Sequence, residues 1–239
     1  MLSESFTKEN LDTYLKELAK AYKKINGKSM PAEIILIGGA AILANYGFRN
    51  MTTDIDAIIH AASSMKEAVN YVGDKFNLPN GWLNADFMYT ASYSPKLNEF
   101  SIYYKSFYGV LSVRTVAAEY LIAMKLRAGR KYKNDLSDII GILAEHKKQG
   151  RVITFEMVET AVENLYGDWK DFSEDSKIFI ENVFNNSDFE NIYAAVKAQE
   201  MADKKMLLEF NETYPEVIKE SNASEIIRLL KEKQSRGSK

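Results

Sequence analysis

One stretch of the chain, residues 34–59, limits the possible folds more than any other. An apolar run from Ile34 to Ile37 meets the pair Gly38-Gly39, and a second apolar run follows the glycines directly. A short apolar run that ends at glycines is typical of a buried strand and its turn, and the residues that follow indicate the start of a helix. Thr53 to Ile59 has the pattern of a second strand. The stretch therefore predicts the order strand, turn, helix, strand.

Two carboxylates, Asp54 and Asp56, lie in the second predicted strand. Because side chains at positions i and i+2 of a strand project from the same face, these two point together, while Ile55 and Ala57 point to the opposite face. Converging carboxylates repel each other without a cation, and hard oxygen ligands favour Mg²⁺ or Mn²⁺ over Zn²⁺. An Asp-x-Asp pair is also common at exposed strand ends, so the prediction depends on the glycines that precede it.

The glycine pair supplies the other half of the prediction. Without Cβ atoms, Gly38 and Gly39 allow a phosphate to approach the backbone closely. The amides that open the following helix carry partial positive charge and favour an anion. In this order and on these elements, the glycines and aspartates predict a site for a metal-bound nucleotide.

These motifs resemble those of a known superfamily. Gly38-Gly39-Ala40-Ala41 followed by Thr53-Asp54-Ile55-Asp56 is similar to the signature of the DNA polymerase beta-like nucleotidyltransferases. Downstream, residues 119–128 and 133–139 resemble helices of a bacterial branch that includes the minimal, abortive-infection type enzymes of toxin–antitoxin systems. The resemblance covers residues 34–145.

The resemblance implies transfer of a nucleoside monophosphate from an NTP to an acceptor, with pyrophosphate leaving. It implies that Asp54 and Asp56 hold Mg²⁺ (or Mn²⁺), that Gly38 and Gly39 face the terminal phosphates, and that the acceptor is tRNA or a protein hydroxyl. It also implies a toxin whose partner is a cognate antitoxin. The alternative is a catalytically weak nucleotide-binding or partner-docking module.

The superfamily has a third carboxylate, which this sequence does not identify clearly. The candidates are Asp86, in the segment Gly81 to Phe87, and Glu99, which precedes an alternating run. We favour Asp86 as the third catalytic acid. Without such an acid the chain would bind nucleotides and transfer nothing.

Lys125 lies on a predicted helix whose neighbouring positions are mostly apolar. One interpretation gives it a catalytic and nucleotide-binding role; the other gives it an ion pair with Asp135 or Asp138 on the next helix. It also begins a cluster of cations, which are Lys125, Arg127, Arg130, Lys131 and Lys133. Such a cluster is usually a solvated helix end, and its functional interpretation is contact with the triphosphate or an RNA acceptor.

Composition excludes several classes of site. The chain has no cysteine and two histidines, which excludes disulfides, thiolate catalysis, Cys-based zinc sites and a His-rich metal site. A formal net charge of -2 argues against broad nonspecific binding of nucleic acid, although a local basic patch can still bind one acceptor. The sequence shows no secretory signal and no run long enough to span a membrane, so we expect a cytoplasmic protein without membrane contact.

The hydrophobic patterns predict an α+β fold with a helical C-terminal extension. The resemblance implies that the sheet is a nucleotidyltransferase-like mixed sheet flanked by helices. We place an α+β domain at residues 1–149 and a helical region at 150–239. Aromatic residues of the later strands are predicted to fill the core of the sheet rather than to stack on a base. These residues are Tyr103, Tyr104, Phe107 and Tyr108.

Overall fold

The structure, a computed structural model, describes residues 5–186 and 188–237. Its helices are α1 (Lys8–Asn26), α2 (Gly38–Asn45), α3 (Met65–Phe76), α4 (Ala118–Ala128), α5 (Asp135–Lys148), α6 (Phe155–Tyr166), α7 (Glu174–Asn185), α8 (Phe189–Thr213) and α9 (Ala223–Gly237). Its strands are β1 (Ala32–Leu36), β2 (Ile55–His60), β3 (Leu83–Asn84), β4 (Ser101–Phe107) and β5 (Leu111–Val116). Short 3-10 helices span Asp86–Tyr89 and Pro95–Asn98.

Helix α1 shows how the sequence specifies these elements. Thr7 and Asn10 form a capping box at its start, and Gly27, with a φ of 70°, ends it. Its apolar residues recur at the spacing of an amphipathic helix and are buried. They are Leu11, Tyr14, Leu15, Leu18, Ala21 and Tyr22. The helix packs on α3 and also contacts β4 and α2.

The strands form a five-stranded mixed sheet in the order β3-β2-β1-β5-β4. β1 pairs antiparallel with β2 and parallel with β5, β2 pairs parallel with β3, and β4 pairs antiparallel with β5. Central β1 is buried throughout its apolar run, with Ile34, Ile35 and Leu36 each 0% exposed. The mixed sheet and its flanking helices confirm the predicted α+β class.

The aromatic residues of β4 correct one prediction. Phe107 is buried, but Tyr103 is 63% exposed and Tyr108 is 43% exposed. The half-buried Tyr104 hydroxyl donates to Asp12 on α1 at 2.9 Å. β4 lies at one edge of the sheet, so its outer edge lacks the cover that a central strand has, and Tyr108 lies in the turn that follows β4. The expectation that all four residues fill the core was therefore wrong for Tyr103 and Tyr108.

The chain divides into two compact units. The sheet unit contains the residues up to Met124 together with Glu156–Lys170, and the helical unit contains Lys125–Phe155 together with the residues from Asp171 onward. Each unit is thus built from two separate stretches of chain. The sequence predicts one domain boundary, between residues 149 and 150, and that division stays a prediction.

Within the helical unit, α5 packs on α8, and α8 on α9. The sequence patterns predict helices near residues 154–165, 174–184, 188–204 and 224–233, which correspond to α6, α7, α8 and α9. Helix α8 continues past residue 204 to Thr213. No helix in the described part of the chain is long and apolar enough to cross a membrane.

Candidate active site

The two halves of the predicted site meet at one end of the β1–β2 pair. These strands are antiparallel, with Leu36 at the end of β1 opposite Ala57 near the start of β2. The amide of Ile37 donates a hydrogen bond to the carbonyl oxygen of Asp56 at 3.0 Å. Since α2 begins at Gly38, directly after Ile37, this bond places the start of α2 beside the two aspartates.

The aspartates follow the alternation that the sequence predicted. Ile55 and Ala57 are each 0% exposed, whereas Asp54 is exposed and Asp56 is half-buried. Strand β2 begins at Ile55, so Asp54 lies just before the strand rather than inside it. The hydroxyl of Thr52 donates to Asp54 Oδ1 in a long contact of 3.5 Å.

This donor set fits Mg²⁺ only in part. Mg²⁺ commonly binds proteins through one or two carboxylates and takes its remaining ligands from substrate phosphates and water. Two accessible carboxylates suit that pattern. Within residues 5–186 and 188–237, no group of three His, Asp or Glu side chains could hold a metal ion. Asp54 and Asp56 could therefore supply two carboxylates to Mg²⁺, and the other ligands of the ion would come from phosphates and water.

The two glycines have different structural reasons to be glycine. Gly38 has a φ of 52°, in the left-handed region, and a Cβ there would face open space. Gly39 is close to two side chains. A Cβ at this position would be 2.5 Å from Thr52 Oγ1 and 2.9 Å from Arg49 Nη2. The protein itself thus accounts for the missing Cβ at Gly39, while contact of either glycine with phosphate stays a prediction.

Neither candidate for the third carboxylate, Asp86 or Glu99, forms a metal-binding group with Asp54 and Asp56. Asp86 is exposed at the start of a 3-10 helix, where its amide donates to Asn84 Oδ1 at 2.8 Å. Glu99 is exposed at the end of the other 3-10 helix. The residue that pairs with Asp56 across the β2–β3 ladder is Asn84. Sequence reasoning missed this neighbour, since a two-residue strand gives no periodic signal.

Lys125 lies in the helical unit and is 8% exposed. Its Nζ lies 2.7 Å from Asp135 Oδ1 and 2.9 Å from Asp138 Oδ2, so both candidate ion pairs are present. Burial alone would raise the pKa of Asp135, but Lys125 and Arg130 hold that pKa well below its usual range. The structural interpretation of Lys125 therefore has direct support, and its nucleotide-binding role stays a prediction.

The other cations of the cluster also have acidic neighbours within the helical unit. Arg130 pairs with Asp135 at 2.7 Å and with Glu220 at 2.9 Å. The remaining pairs are Arg127 with Asp171, Lys131 with Asp175 and Lys133 with Glu220. These acids, which lie far apart in sequence, offset the positive charge that the cluster presents. Contact with a polyanion stays a prediction.

A buried acid that the sequence did not indicate lies between α8 and α5. Glu200 is 3% exposed and accepts bonds from the amides of Leu136 and Ser137 and from the Ser137 hydroxyl. Burial raises the pKa of Glu200 to about 7, and Asp138 adds to the rise, although the bonds from Ser137 and Leu136 oppose it. The carboxylate caps the start of α5 and joins the two helices.

The mixed sheet, its flanking helices and the glycine-led α2 beside Asp54 and Asp56 define a nucleotidyltransferase-like α+β protein. The model of a family described as nucleotidyltransferases of unknown function (DUF6036) matches residues 13–177, and the chain belongs to this family. Comparisons with curated proteins and with solved structures give no match. The matched residues include all of the sheet and the ion pairs of Lys125.

Proposed function

We propose that this protein is a metal-dependent nucleotidyltransferase that moves a nucleoside monophosphate from an NTP to an acceptor. The observation that carries the proposal is the bond from Ile37 N to Asp56 O, which brings the start of α2 to the aspartates. The first amides of a helix attract anions, and a pair of carboxylates attracts a cation. A magnesium-bound triphosphate presents both charges at once.

The roles of the residues follow from these charges. Asp54 and Asp56 would hold the metal, and the first amides of α2 would bind the outer phosphates. When bound, Mg²⁺ would neutralise charge on the phosphates and so favour departure of pyrophosphate. An acceptor oxygen then attacks the α-phosphorus, the bond to the bridging oxygen breaks, and pyrophosphate leaves with that electron pair. The acceptor gives up its proton to solvent.

The acceptor and biological role are further parts of the proposal. The resemblance to the toxin–antitoxin branch supports tRNA or a protein hydroxyl as acceptor and a cognate antitoxin as partner. The family description supports nucleotide transfer in general.

One observation favours a second candidate, a nucleotide-binding protein without transferase activity. In the described part of the chain, Asp54 and Asp56 have no third acid grouped with them as a metal site. The superfamily pattern includes such an acid. Binding without transfer is the outcome expected if no other residue takes its place.

A transfer assay separates the two candidates. The purified protein is incubated with Mg²⁺, each α-labelled NTP in turn, and cellular RNA or protein, and transfer of label to a macromolecule is measured. We expect labelled product from the wild type and none from Asp54→Asn or Asp56→Asn. Asp74→Asn is the matched control, because Asp74 is an exposed aspartate on α3 in the same unit.

The outcomes are distinct. NTP binding without labelled product supports the second candidate. Equal transfer by the wild type and both site variants contradicts the assignment of Asp54 and Asp56 as metal ligands. Circular dichroism spectra and melting curves of all variants show whether a loss of activity reflects a loss of fold.

A further inference from the structure

We propose that Thr52 is a positioning residue for Asp54, and that its hydroxyl orients the Asp54 carboxylate toward a divalent cation. This inference rests on the proposed function, since it concerns the same site. Thr52 lies in the connection between α2 and β2, two residues before Asp54. It acts through Asp54 and not by contact with the metal.

The burial of Thr52 is the first observation. Thr52 is 3% exposed, whereas the flanking residues Met51, Thr53 and Asp54 are all exposed. Its hydroxyl donates to Asp54 Oδ1 in the contact of 3.5 Å. A buried hydroxyl requires a partner, because leaving it unpaired costs about 1–3 kcal/mol. The exposed carboxylate of Asp54 thus has one oxygen bonded to a buried group of the protein.

The backbone on both sides of Asp54 is fixed, which is the second observation. The amide of Phe6 donates to the carbonyl oxygen of Thr52 at 2.8 Å, and the amide of Thr52 donates to that of Phe6 at 2.9 Å. On the other side, the amide of Ile55 donates to the carbonyl oxygen of Trp82 at 3.1 Å. The rings of Phe6 and Trp82 stack with their centroids 6.3 Å apart, so the two anchors belong to one packed cluster.

The same hydroxyl lies against the first turn of α2, which is the third observation. Thr52 Oγ1 is 2.5 Å from the position that a Cβ on Gly39 would occupy. The hydroxyl is therefore adjacent both to the start of α2 and to the Asp54 carboxylate. A hydrogen bond to a metal-binding carboxylate holds it in the orientation that the metal requires, and loss of such a bond commonly lowers metal affinity by roughly ten- to hundredfold.

A packing role alone for Thr52 predicts a different pattern in two variants. Thr52→Val keeps the branched shape and removes the hydroxyl, whereas Thr52→Ser keeps the hydroxyl and removes the methyl group. If Thr52 acts only by packing, Thr52→Val should resemble the wild type and Thr52→Ser should be impaired. If the hydroxyl orients Asp54, the order of the two variants is reversed.

The test is calorimetric titration of the full chain with an ATP analogue, once in Mg²⁺ and once in EDTA. The analogue carries a methylene group in place of the α,β-bridging oxygen, so that no transfer occurs. We expect Thr52→Val to lower the affinity about tenfold in Mg²⁺ and by less than about twofold in EDTA, because only the metal contact depends on the orientation of Asp54. Thr52→Ser should keep the wild-type affinity in both.

Thr115→Val is the matched control, because it removes another buried hydroxyl from the sheet unit. Thr115 is 0% exposed on β5, and its hydroxyl accepts a bond at 2.8 Å from Asn45, the last residue of α2. This variant should lower the melting temperature and leave the affinity in Mg²⁺ unchanged. If Thr52→Val does not fold, Thr52→Ala is compared with Thr52→Ser, since these two variants differ only in the hydroxyl oxygen.

The outcomes separate this inference from the proposed function. If the wild type binds the analogue but Thr52→Val loses affinity equally in Mg²⁺ and EDTA, or loses none, Thr52 does not position Asp54 and the proposed function stands. The same conclusion follows if Thr52→Ser is impaired as much as Thr52→Val. If the wild type does not bind the analogue in Mg²⁺, the proposed function is wrong and the role of Thr52 falls with it.

Discussion

At the scale of single residues, Glu200 makes the stability of the protein depend on pH. Burial raises its pKa from 4.5 to about 7, so the folded state retains a proton that the unfolded state releases. The free energy of unfolding therefore falls as pH rises from about 4.5 to about 7 and levels off above that range. The stabilisation that comes from the raised pKa of Glu200 is complete below the unfolded-state pKa of 4.5 and is lost above the folded-state pKa of about 7.

We expect Glu200→Gln to remove this part of the pH dependence, because an amide does not titrate. Relative to the variant, the wild type should lose roughly 1–3 kcal/mol of unfolding free energy across the same range. Urea unfolding at a series of pH values measures the difference. Glu209→Gln, at an exposed carboxylate on the same helix, is the control. Parallel pH profiles for the wild type and Glu200→Gln would contradict the prediction.

A second prediction at this scale concerns Gly39. Gly39→Ala should destabilise the protein by about 1–3 kcal/mol, because the new methyl group overlaps Thr52 Oγ1. Thr52→Ala removes that oxygen, so part of the loss should be recovered in the double variant. Gly47→Ala is the control, since a Cβ at Gly47 has nothing within 4 Å. Urea unfolding of the single and double variants gives the coupling energy between the two substitutions. If their losses of unfolding free energy are additive, overlap with Thr52 is not the cause of the destabilisation by Gly39→Ala.

At the scale of elements, Lys125 joins α4 to α5. Replacing its amine leaves two buried carboxylates, Asp135 and Asp138, without that cation. Lys125→Met should therefore lower the unfolding free energy by about 3–5 kcal/mol. Lys131→Met should change it by less than about 1 kcal/mol, because both partners of the Lys131–Asp175 pair are exposed. Equal stabilities of the two variants in chemical denaturation would rule out a structural role for Lys125.

The elements also show what could be predicted from the sequence. Helix α1 and strand β1 were predictable because burial imposes a period on their residues. The exposure of Tyr103 was not, because it depends on β4 lying at the edge of the sheet, and the exposure of Tyr108 was not, because it depends on where β4 ends. In the candidate site, Asp54, Asp56 and the glycines form a local motif, and their adjacency follows from a strand pairing. The positions of Asn84 beside Asp56 and of Glu200 at the start of α5 depend on contacts that only the folded chain creates.

At the scale of the whole molecule, metal and nucleotide should stabilise the protein together. A site with two carboxylates binds Mg²⁺ weakly by itself and more strongly when phosphates complete the coordination. Mg²⁺ with NTP should therefore raise the melting temperature by a few degrees, and Mg²⁺ alone should not, because only a ligand that binds the folded state shifts unfolding. Differential scanning fluorimetry of the wild type and Asp56→Asn measures this, and an equal shift with Mg²⁺ alone would contradict it.

The interleaved units have a consequence for synthesis on the ribosome. The sheet unit includes Glu156–Lys170, whose α6 buries Val158 and Leu165 and whose Leu165 carbonyl accepts a bond from Ser94 at 2.9 Å. Since the chain emerges from its N-terminus, the strands leave the ribosome well before this helix does. The sheet unit is therefore complete only after residues 125–155, which belong to the helical unit, have been synthesised, and a nascent chain that stalls before residue 156 should expose apolar surface that chaperones bind.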